Sequence, residues 1–396
     1  MNPQTAMPDK LKPTVQLSAI DQFRQTWFYK FLLFPIGQII VFIVGTTVVL
    51  TLITYLIAYL LPPPNARVFL PDAISKQIAG WIINGVSFGF LYAMIALGYT
   101  MVYGVLKFIN FAHSEIFMLG GIVGYEVTVQ LNEAGQLANW HPLAVVVLMI
   151  VMAMILSGLL AVIVERLAYR PLRSAPKLVS LITAIGVSFV LQDVVRAFMQ
   201  VTRGQFDLVY PTKNIAVYST PIRVMIGEST ISIRPTFILI IIAAVIMLVA
   251  LNYFVNGTKW GRGIRAVSQD AAMAGLVGVN VNLLISLTFF IGGALGGAAG
   301  SLFGLNTGSV NAYIGTSPGL KAFIAAVLGG IGSLTGALLG GLTIGLIESY
   351  LNGLLFFYDN IGLGFRWTDV FVFAVLILIL LFRPAGLLGE KVDEKV

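Results

Sequence analysis

Long stretches without a charged side chain are the feature that most restricts how this sequence can fold. Residues 31–61 and 77–106 carry no charge. About 18 or more apolar residues let a helix cross the roughly 30 Å hydrocarbon layer of a membrane, and a helix pairs its own backbone polar groups there. Charged residues make up only 10% of the 396 residues, against roughly 25% in soluble domains. The sequence therefore predicts an all-α polytopic membrane protein.

Composition also restricts the sites and partners of the chain. The formal charge of +7 comes from Lys and Arg residues between the apolar stretches, where the positive-inside bias places them, so it does not indicate nucleic acid. The absence of cysteine excludes disulfides and thiolate metal ligands in this sequence. Two histidines, His113 and His141, leave little room for a histidine-rich metal centre. We expect no metal and no cofactor bound by this chain itself.

The apolar stretches predict about ten helical segments. Gly329, Gly330 and Gly332 interrupt the uncharged run at residues 322–347, which we therefore divide into two helices, the first short enough to be a half-helix buried in protein. Ten passes with a cytoplasmic N-terminus also place the arginine-rich loops and the C-terminal tail in the cytoplasm. The predicted segments are residues 31–61, 77–106, 116–131, 143–164, 178–201, 235–255, 283–305, the two parts of 322–347, and 367–382.

Four connecting segments differ from the apolar stretches in composition. Residues 165–177 are rich in arginine and predict a cytoplasmic loop. Residues 202–234 alternate polar and β-branched residues with glycine and proline, which predicts an external loop with a hairpin. Residues 306–319 predict a polar, aromatic loop. Residues 271–300, after the basic run at 259–265, predict a short surface helix that leads into a glycine-stepped membrane helix.

Glycines at a spacing of four residues predict close helix packing. Gly292, Gly296 and Gly300 share this spacing, and so do Gly336 and Gly340. Small residues at this spacing line one face of a helix and let two backbones approach closely in lipid. The alternative is that glycine is simply common in membrane helices. Packing of this kind indicates architecture and does not name an activity.

A group of polar residues in a turn between two predicted spans is a candidate for the transport pathway or its gate. The group consists of Asn110, His113, Ser114 and Glu115. Ionisable groups at membrane depth are costly and usually face a cavity. At the membrane surface, the same residues would instead form a solvated cap.

Four further polar residues are pathway candidates with equally ordinary alternatives. Lys321 and Glu348 lie near membrane depth, but each could be an end group whose long side chain reaches the interface. Asn306 and Tyr313 offer an amide and a hydroxyl group beside the outer end of the glycine helix, and they would also suit an ordinary loop.

The sequence contains no GxxxxGK[ST] phosphate loop and no HExxH zinc motif. The pattern GxSxG occurs at residues 85–89 and 315–319, but neither match follows a predicted strand, so neither indicates a nucleophile turn. We therefore expect a non-enzymatic protein, and if its work needs ATP, another polypeptide must hydrolyse it.

Four blocks of sequence follow one another along the chain. They are IALGYTMVYGVLKFINFAHSEIFMLGG from Ile95, ERLAYRPLRSAPKLVSLITAIGVSFVLQ from Glu165, FIAAVLGGIGSLTGALLGG from Phe323 and RPAGLLG from Arg383. In this order they resemble the LivH-type permease of branched-chain amino acid ABC importers. Importers of neutral amino acids from cyanobacteria belong to the same group, and urea importers have closely similar permeases.

The resemblance implies a membrane subunit that works with several partners. These are a homologous LivM-type permease, two cytoplasmic ATPase subunits that bind the ATP, and an extracytoplasmic solute-binding protein that delivers an amino acid. The implied location is the plasma membrane of a bacterium, with both termini in the cytoplasm. The implied permease domain is residues 77–390, preceded by an extension at 1–76 with one extra transmembrane helix and followed by a tail at 391–396.

The resemblance also implies a docking site for the ATPase. The segment after the basic run looks like the coupling loop of ABC importer permeases, whose short helix contacts the ATPase. The residues that match or flank this loop are Arg262, Arg265, Asp270, Ala271, Ala272, Gly275 and Gly278.

The expected function is therefore translocation of neutral or branched-chain amino acids. A urea importer is the alternative within the same class. A secondary transporter or channel working alone is the alternative from another class. An ion-coupled carrier would be expected to hold a buried acid or histidine in the middle of a span, whereas the candidates here lie near span ends.

Overall fold

A computed structural model describes most of the chain as helix. It covers residues 34–62, 70–173, 175–211, 218, 220–226, 229–330, 332–359, 362, 364–383 and 386. Within these residues, seven helices are long and apolar enough to cross a membrane. The prediction of an all-α polytopic membrane protein is confirmed.

Every predicted apolar segment is a helix, and two short helices follow the sixth. The longer helices are α1 Phe34–Leu60, α2 Leu70–Leu106, α3 His113–Glu133, α4 Pro142–Val164, α5 Lys177–Arg203, α6 Pro235–Gly257, α9 Val281–Thr307, α10 Thr316–Gly329, α11 Leu334–Phe356 and α12 Thr368–Phe382. The short helices are α7 Lys259–Gln269 and α8 Ala271–Leu276. Short strands are β1 Asp207–Val209, β2 Ile222–Ile226, β3 Ser229–Ile233 and β4 Ser309–Asn311.

The chain divides into two units, residues 1–41 and residues 42–396. Of the first unit, the structure describes residues 34–41, which are the first turns of α1. The rest of α1 belongs to the second unit, where the Thr51 and Tyr350 hydroxyl oxygens lie 2.9 Å apart. Residues 42–60 of α1 thus belong to the same unit as α11.

Helix α9 packs its two glycine faces against different neighbours. A Cβ atom at Gly300 would overlap the carbonyl oxygen of Phe117 in α3. On the other face, a Cβ at Gly297 would overlap the carbonyl oxygen of Ala153 in α4. Because only glycine allows both approaches, α9 sits in direct backbone contact with two helices. The predicted packing role of the α9 glycines is thus supported at Gly300.

Helix α11 uses its glycines in the same way. Cβ atoms at Gly336 and Gly340 would overlap backbone carbonyl oxygens of Gly329 and Ala325, which belong to α10. A Cβ at Gly345 would overlap the backbone of α2. The alternative is that these glycines reflect only the composition of membrane helices. It does not explain why two faces of α11 contact the backbones of other helices.

The predicted division of the run at 322–347 is confirmed. Helix α10 ends at Gly329, and Gly330 and Gly332 have φ angles of 102° and 99°, which side chains other than glycine rarely adopt. Ser333 then caps α11, because its hydroxyl accepts a hydrogen bond from the amide of Gly336 at 3.1 Å. With 14 residues, α10 is about 21 Å long and is shorter than the hydrocarbon layer, as expected of a half-helix.

The prediction of a loop at residues 306–319 is only partly right. Asn306 still belongs to α9, and α10 begins at Thr316, so helix occupies both ends of the expected loop. Pro318 near the start of α10 does not interrupt it, because the first amides of a helix have no partner within the helix. The loop itself contains β4, which pairs with β1 in antiparallel register, Leu208 opposite Val310.

The predicted hairpin in residues 202–234 is confirmed. Strands β2 and β3 pair in antiparallel fashion, from Ile222 opposite Ile233 to Ile226 opposite Ser229. Before them, Tyr210 anchors the connection by donating a hydrogen bond to the carbonyl oxygen of Gly121 in α3 at 3.0 Å. Burial raises the pKa of the Tyr210 hydroxyl above its ordinary value, so it stays a neutral donor.

Candidate functional site

The polar residues at the junction of α2 and α3 are buried. Asn110 is 2% exposed, and His113 and Glu115 are each 1% exposed. The alternative of a solvated cap at the membrane surface is therefore wrong. Helix α2 ends at Leu106, and Lys107 follows it with a φ of 57°, the left-handed conformation that often terminates helices.

One oxygen of Glu115 joins α3 to α5. Its Oε1 atom accepts hydrogen bonds from the Ser114 hydroxyl at 3.0 Å, the Ser188 hydroxyl at 2.9 Å and the Gln192 amide at 2.9 Å. Among the described residues, Oε2 of Glu115 is buried without a hydrogen-bond partner. Hydrogen bonds thus hold Oε1 on the side of α5, whereas Oε2 is buried without a partner among the described residues.

His113 occupies a space that two glycines leave open. A Cβ at Gly98 of α2 would overlap the imidazole ring, and a Cβ at Gly296 of α9 would lie 3.5 Å from it. The ring of Tyr99 meets the imidazole edge-on, with centroids 4.7 Å apart. The structure therefore brings together two predicted residues, His113 and Gly296, that are far apart in sequence.

Asn110 is held from the loop that follows α4. The Tyr169 hydroxyl donates a hydrogen bond to Asn110 Oδ1 at 2.6 Å, and both groups are buried. The amide of Ala112 donates to the same oxygen at 3.1 Å. Tyr169 lies in a π-helical turn, Glu165–Tyr169, that continues α4.

The same π-helical turn carries a buried charge that the sequence analysis did not single out. Glu165 is fully buried and forms ion pairs with Arg170 and Arg173. Its Oε2 atom also accepts a hydrogen bond from the Ser286 hydroxyl at 2.7 Å, and Arg173 donates to Asn282 at 2.6 Å. Burial lowers the pKa of Arg173 from its ordinary value, and the adjacent Glu165 carboxylate opposes that shift.

Those contacts tie the loop after α4 to the beginning of α9. The available sequence signal was one acid among several basic residues at the end of a span. That pattern indicates a cytoplasmic loop equally well. The sequence alone does not distinguish a buried acid from an acid in an exposed loop. The structure does, because a charge can remain inside a protein when it is paired and hydrogen-bonded.

Lys321 and Glu348 are brought together by the structure. The Lys321 ammonium group lies 2.7 Å from Oε1 of Glu348 and 2.8 Å from Oδ1 of Asp369. The Tyr92 hydroxyl donates to Oε2 of Glu348 at 2.8 Å. Lys321 is 5% exposed, so the alternative of a side chain that reaches the membrane surface is wrong for this residue.

Asn306 and Tyr313 make separate contacts. The Thr236 hydroxyl of α6 donates to Asn306 Oδ1 at 2.9 Å, and Arg234 donates to the Asn306 carbonyl oxygen at 3.1 Å. Tyr313 is exposed, and its hydroxyl accepts a long hydrogen bond of 3.4 Å from Arg196. Asn306 therefore joins α9 to α6, while Tyr313 belongs to an open surface pocket with Arg196 and Phe206.

The short helix α8 presents an exposed apolar face. Met273 and Leu276 on this helix and Val277 directly after it are 61%, 81% and 79% exposed. Asp270 caps this helix, because its Oδ1 atom accepts hydrogen bonds from the amides of Ala272 and Met273 at 2.9 and 3.0 Å. The predicted short surface helix leading into a membrane helix is confirmed as α8 followed by α9.

The remaining residues of this segment differ in what they contact. Arg262 is exposed, whereas Arg265 donates to the Val255 carbonyl oxygen at 2.5 Å and so satisfies the end of α6. Gly278 has a φ of 87°, which lets the chain turn from α8 toward α9. Gly275 in α8 has only one side-chain atom near its Cβ position, at 3.9 Å.

These features agree with a known family. The profile of the family described as "Branched-chain amino acid transport system / permease component" matches residues 81–380. That range covers more than half of the chain. The chain belongs to this permease family.

The sequences of individual relatives align with most of this chain. The high-affinity branched-chain amino acid transport system permease protein LivH of Escherichia coli is 38% identical over 318 residues, which is 80% of this chain and 96% of the relative. The corresponding protein BraD of Pseudomonas aeruginosa is 39% identical over 322 residues, 80% of this chain and 97% of the relative. A probable LivH of Methanocaldococcus jannaschii is 26% identical over 326 residues.

Both buried clusters of this permease lie within the matched range. One contains Asn110, His113 and Glu115, and the other contains Lys321 and Glu348. Sequence reasoning found the first three as one group and Lys321 and Glu348 as individual candidates, but it missed Tyr169, Glu165 and Asp369, which are their partners or neighbours. Tyr169 and Asp369 break no local pattern, and the signal at Glu165, one acid among basic residues at the end of a span, fits a cytoplasmic loop equally well.

Proposed function

We propose that this chain is a membrane-spanning permease subunit of an ABC importer that translocates neutral, branched-chain amino acids across the plasma membrane of a bacterium. The observation that carries the proposal is 38–39% identity over 80% of the chain to permeases named for branched-chain amino acid transport. Nearly the whole length of those relatives is covered, so the likeness is not confined to one shared segment.

The energy for transport comes from partner subunits. The sequence contains no phosphate-binding loop, so two cytoplasmic ATPase subunits bind and hydrolyse the ATP. Helix α8 is the docking helix, and the exposed side chains of Met273, Leu276 and Val277 support this role because an apolar group on a surface helix is suited to fit a groove of another protein. A LivM-type permease and an extracytoplasmic solute-binding protein complete the importer.

Closure of the ATPases moves the segment at residues 264–279 and tilts the glycine-packed helices. Two observations support this mechanism. Helix α8 precedes α9 by four residues, and the glycines of α9 bring its backbone into contact with those of α3 and α4. A movement of α8 therefore acts directly on the helix that borders His113.

The boundaries of the permease domain are part of the proposal. The family match begins at residue 81, which supports an extension at residues 1–76 that contains α1. Helix α2 begins at Leu70 and runs through the proposed boundary. Residues 391–396, the proposed cytoplasmic tail, lie outside the described residues.

Transport by reconstituted complexes tests the function. The permease is purified with its partner permease, ATPases and binding protein, placed in liposomes, and supplied with labelled leucine or labelled urea. We expect leucine uptake that requires both ATP and the binding protein. Uptake of urea alone would identify a urea importer, and leucine uptake by this chain without ATP would identify a secondary transporter or channel.

Charge reversal in the basic run tests the docking site. Arg262→Glu should lower the amount of ATPase recovered with the permease, while the thermal stability of the permease stays unchanged because Arg262 is exposed. Arg265→Glu should lower both quantities, because it also removes the hydrogen bond to Val255. Normal ATPase recovery and uptake with both variants would contradict docking at this segment.

A further inference from the structure

The carboxamide of Asn110 has one defined orientation. Its oxygen accepts hydrogen bonds from Tyr169 at 2.6 Å and from the backbone amide of Ala112 at 3.1 Å. A backbone amide can only donate, so the atom that faces Ala112 must be the oxygen. The Nδ2 amino group consequently points to the opposite side.

That amino group is a buried donor without an acceptor. Within the described part of the chain, Asn110 Nδ2 has no hydrogen-bond partner, although the residue is 2% exposed. An unpaired buried donor destabilises a protein, because it has lost its hydrogen bonds to water without replacement. Such a group calls for a functional explanation, and a ligand with an acceptor atom would supply the missing partner.

Asn110 lines a small pocket between the end of α2 and the half-helix α10. In this conformation the pocket has room for about one water molecule. Asn110 lines one side of it, and aromatic and aliphatic residues line the rest. The lining residues are Tyr99, Tyr103, Ile109, Asn110, Phe323, Ala326 and Val327.

Three residues of the apolar wall lie on one helix. Phe323, Ala326 and Val327 all lie on α10, and the turn after α10 contains Gly330 and Gly332 in conformations that need glycine. The ring of Phe323 closes the pocket against Tyr99, with centroids 6.0 Å apart. A small displacement of α10 would enlarge the pocket without breaking the hydrogen bonds that hold Asn110.

We propose that Asn110 Nδ2 binds the carboxylate of the transported amino acid at an inner site, with the apolar side chain of the substrate against α10. The inference rests on the proposed function and names the residue that contacts its substrate. An N–H donor favours a carboxylate over an ammonium group, and a hydrogen bond to a charged acceptor is about twice as strong as one between neutral groups. Phe323 and Val327 suit a neutral, branched side chain.

Tyr169 is the positioning residue of this site. Its hydroxyl is one of the two donors that set the direction of the carboxamide, and it lies in the π-helical turn with Glu165. Through Ser286 and Asn282, the ion cluster of that turn reaches the beginning of α9, which follows the docking helix. The orientation of Asn110 is therefore linked to the segment that the ATPases move.

The replacement Asn110→Asp changes only the unpaired amino group of the side chain. Its carboxylate keeps an oxygen for Tyr169 and Ala112, but it replaces the donor by an acceptor that repels the substrate carboxylate. In the reconstituted complex, we expect leucine uptake to fall about tenfold or more, while stimulation of ATP hydrolysis by loaded binding protein stays within about twofold. Tyr169→Phe should reduce uptake less, with the same retention of ATP hydrolysis.

A cysteine in the apolar wall gives a measurement that does not depend on that variant. The sequence contains no cysteine, so Ala326→Cys provides a single thiol in this subunit. We expect a small thiol reagent to label it during ATP turnover, and leucine delivered by the binding protein to slow the labelling. Ala134→Cys, at the exposed end of α3, is the control and should react at the same rate with and without leucine.

The outcomes separate this inference from the proposed function. Wild-type leucine uptake by Asn110→Asp would overturn the assignment and leave the pocket as a water site. The same labelling rate of Ala326→Cys with and without leucine would also overturn it, including in the case that Asn110→Asp does not assemble. A wild-type complex that imports no leucine would instead overturn the proposed function.

Discussion

The Lys321 ammonium group lies 2.7 Å from Glu348 Oε1 and joins the half-helix α10 to α11. Asp369 of α12 approaches the same ammonium group at 2.8 Å, and Tyr92 of α2 donates to the other oxygen of Glu348. Residues of four helices thus form one cluster, which contains one ammonium group and two carboxylates. Since the cluster has more negative than positive charge, Lys321 is the member whose loss it would tolerate least.

Removal of the charge on Lys321 should destabilise the permease. Lys321→Met keeps most of the side-chain volume but leaves Glu348 without its cation inside the protein. Breaking a buried ion pair on one side typically destabilises a protein by about 3–5 kcal/mol, and the partial exposure of Glu348 places the expectation at the lower end. The measurement is the thermal unfolding midpoint of the permease in detergent.

Asp369→Asn is the matched control for this variant. Its side chain is 50% exposed, so its loss should change stability by only about 0–1 kcal/mol. The double variant Lys321→Met with Glu348→Gln should recover part of the stability, because it removes the unpaired carboxylate as well. If Lys321→Met unfolded at the wild-type temperature, the cluster would not be important for stability.

A second prediction concerns the contact between α9 and α3. Gly300→Ala would place a methyl group on the carbonyl oxygen of Phe117, and two backbones would have to separate. Overpacking of this kind destabilises proteins by about 1–3 kcal/mol. The thermal midpoint and the membrane yield should both fall.

Gly296→Ala on the same face is the control. Its added methyl group would lie 3.5 Å from the His113 ring, which is ordinary van der Waals contact. The stability should therefore stay close to that of the wild type. Equal effects of the two substitutions would show that helix propensity, rather than backbone contact, determines the result.

The features that sequence predicted well were those set by neighbouring residues. The break after Gly329 is an example, because glycines in left-handed conformations and a Ser333 cap are local requirements. Partnerships were not predictable in the same way. Asn110 and Tyr169 are 59 residues apart, and their contact depends on how α4 ends beside α2, which no local pattern specifies.

Burial of polar residues shows the same limit. Glu115 sits beside an apolar stretch in sequence, and that position fits both a surface cap and a buried group. The choice depends on Ser188 and Gln192 of α5, which supply its hydrogen-bond donors. Only packing of α5 against α3 brings those donors together, so the sequence left both alternatives open.

A third prediction concerns the buried charge that sequence analysis missed. Glu165→Gln should destabilise the permease by about 3 kcal/mol, because it leaves Arg170 and Arg173 facing each other without their shared carboxylate. Arg166→Gln on the same turn is the control, since Arg166 is exposed. Thermal midpoints in detergent measure both effects, and a Glu165→Gln midpoint equal to that of Arg166→Gln would contradict the role of the cluster.

A fourth prediction concerns the cap of the docking helix. Helix α8 has only six residues, and helices this short are marginal without tertiary support. Asp270→Ala removes the acceptor for the amides of Ala272 and Met273, which typically destabilises a helix by about 1 kcal/mol. The fraction of folded α8 should fall, and with it the ATP-driven leucine uptake, by about fivefold. Asp270→Asn keeps the acceptor and should retain uptake, whereas equal loss in both variants would mean that the charge of Asp270, and not its cap, matters to the ATPase.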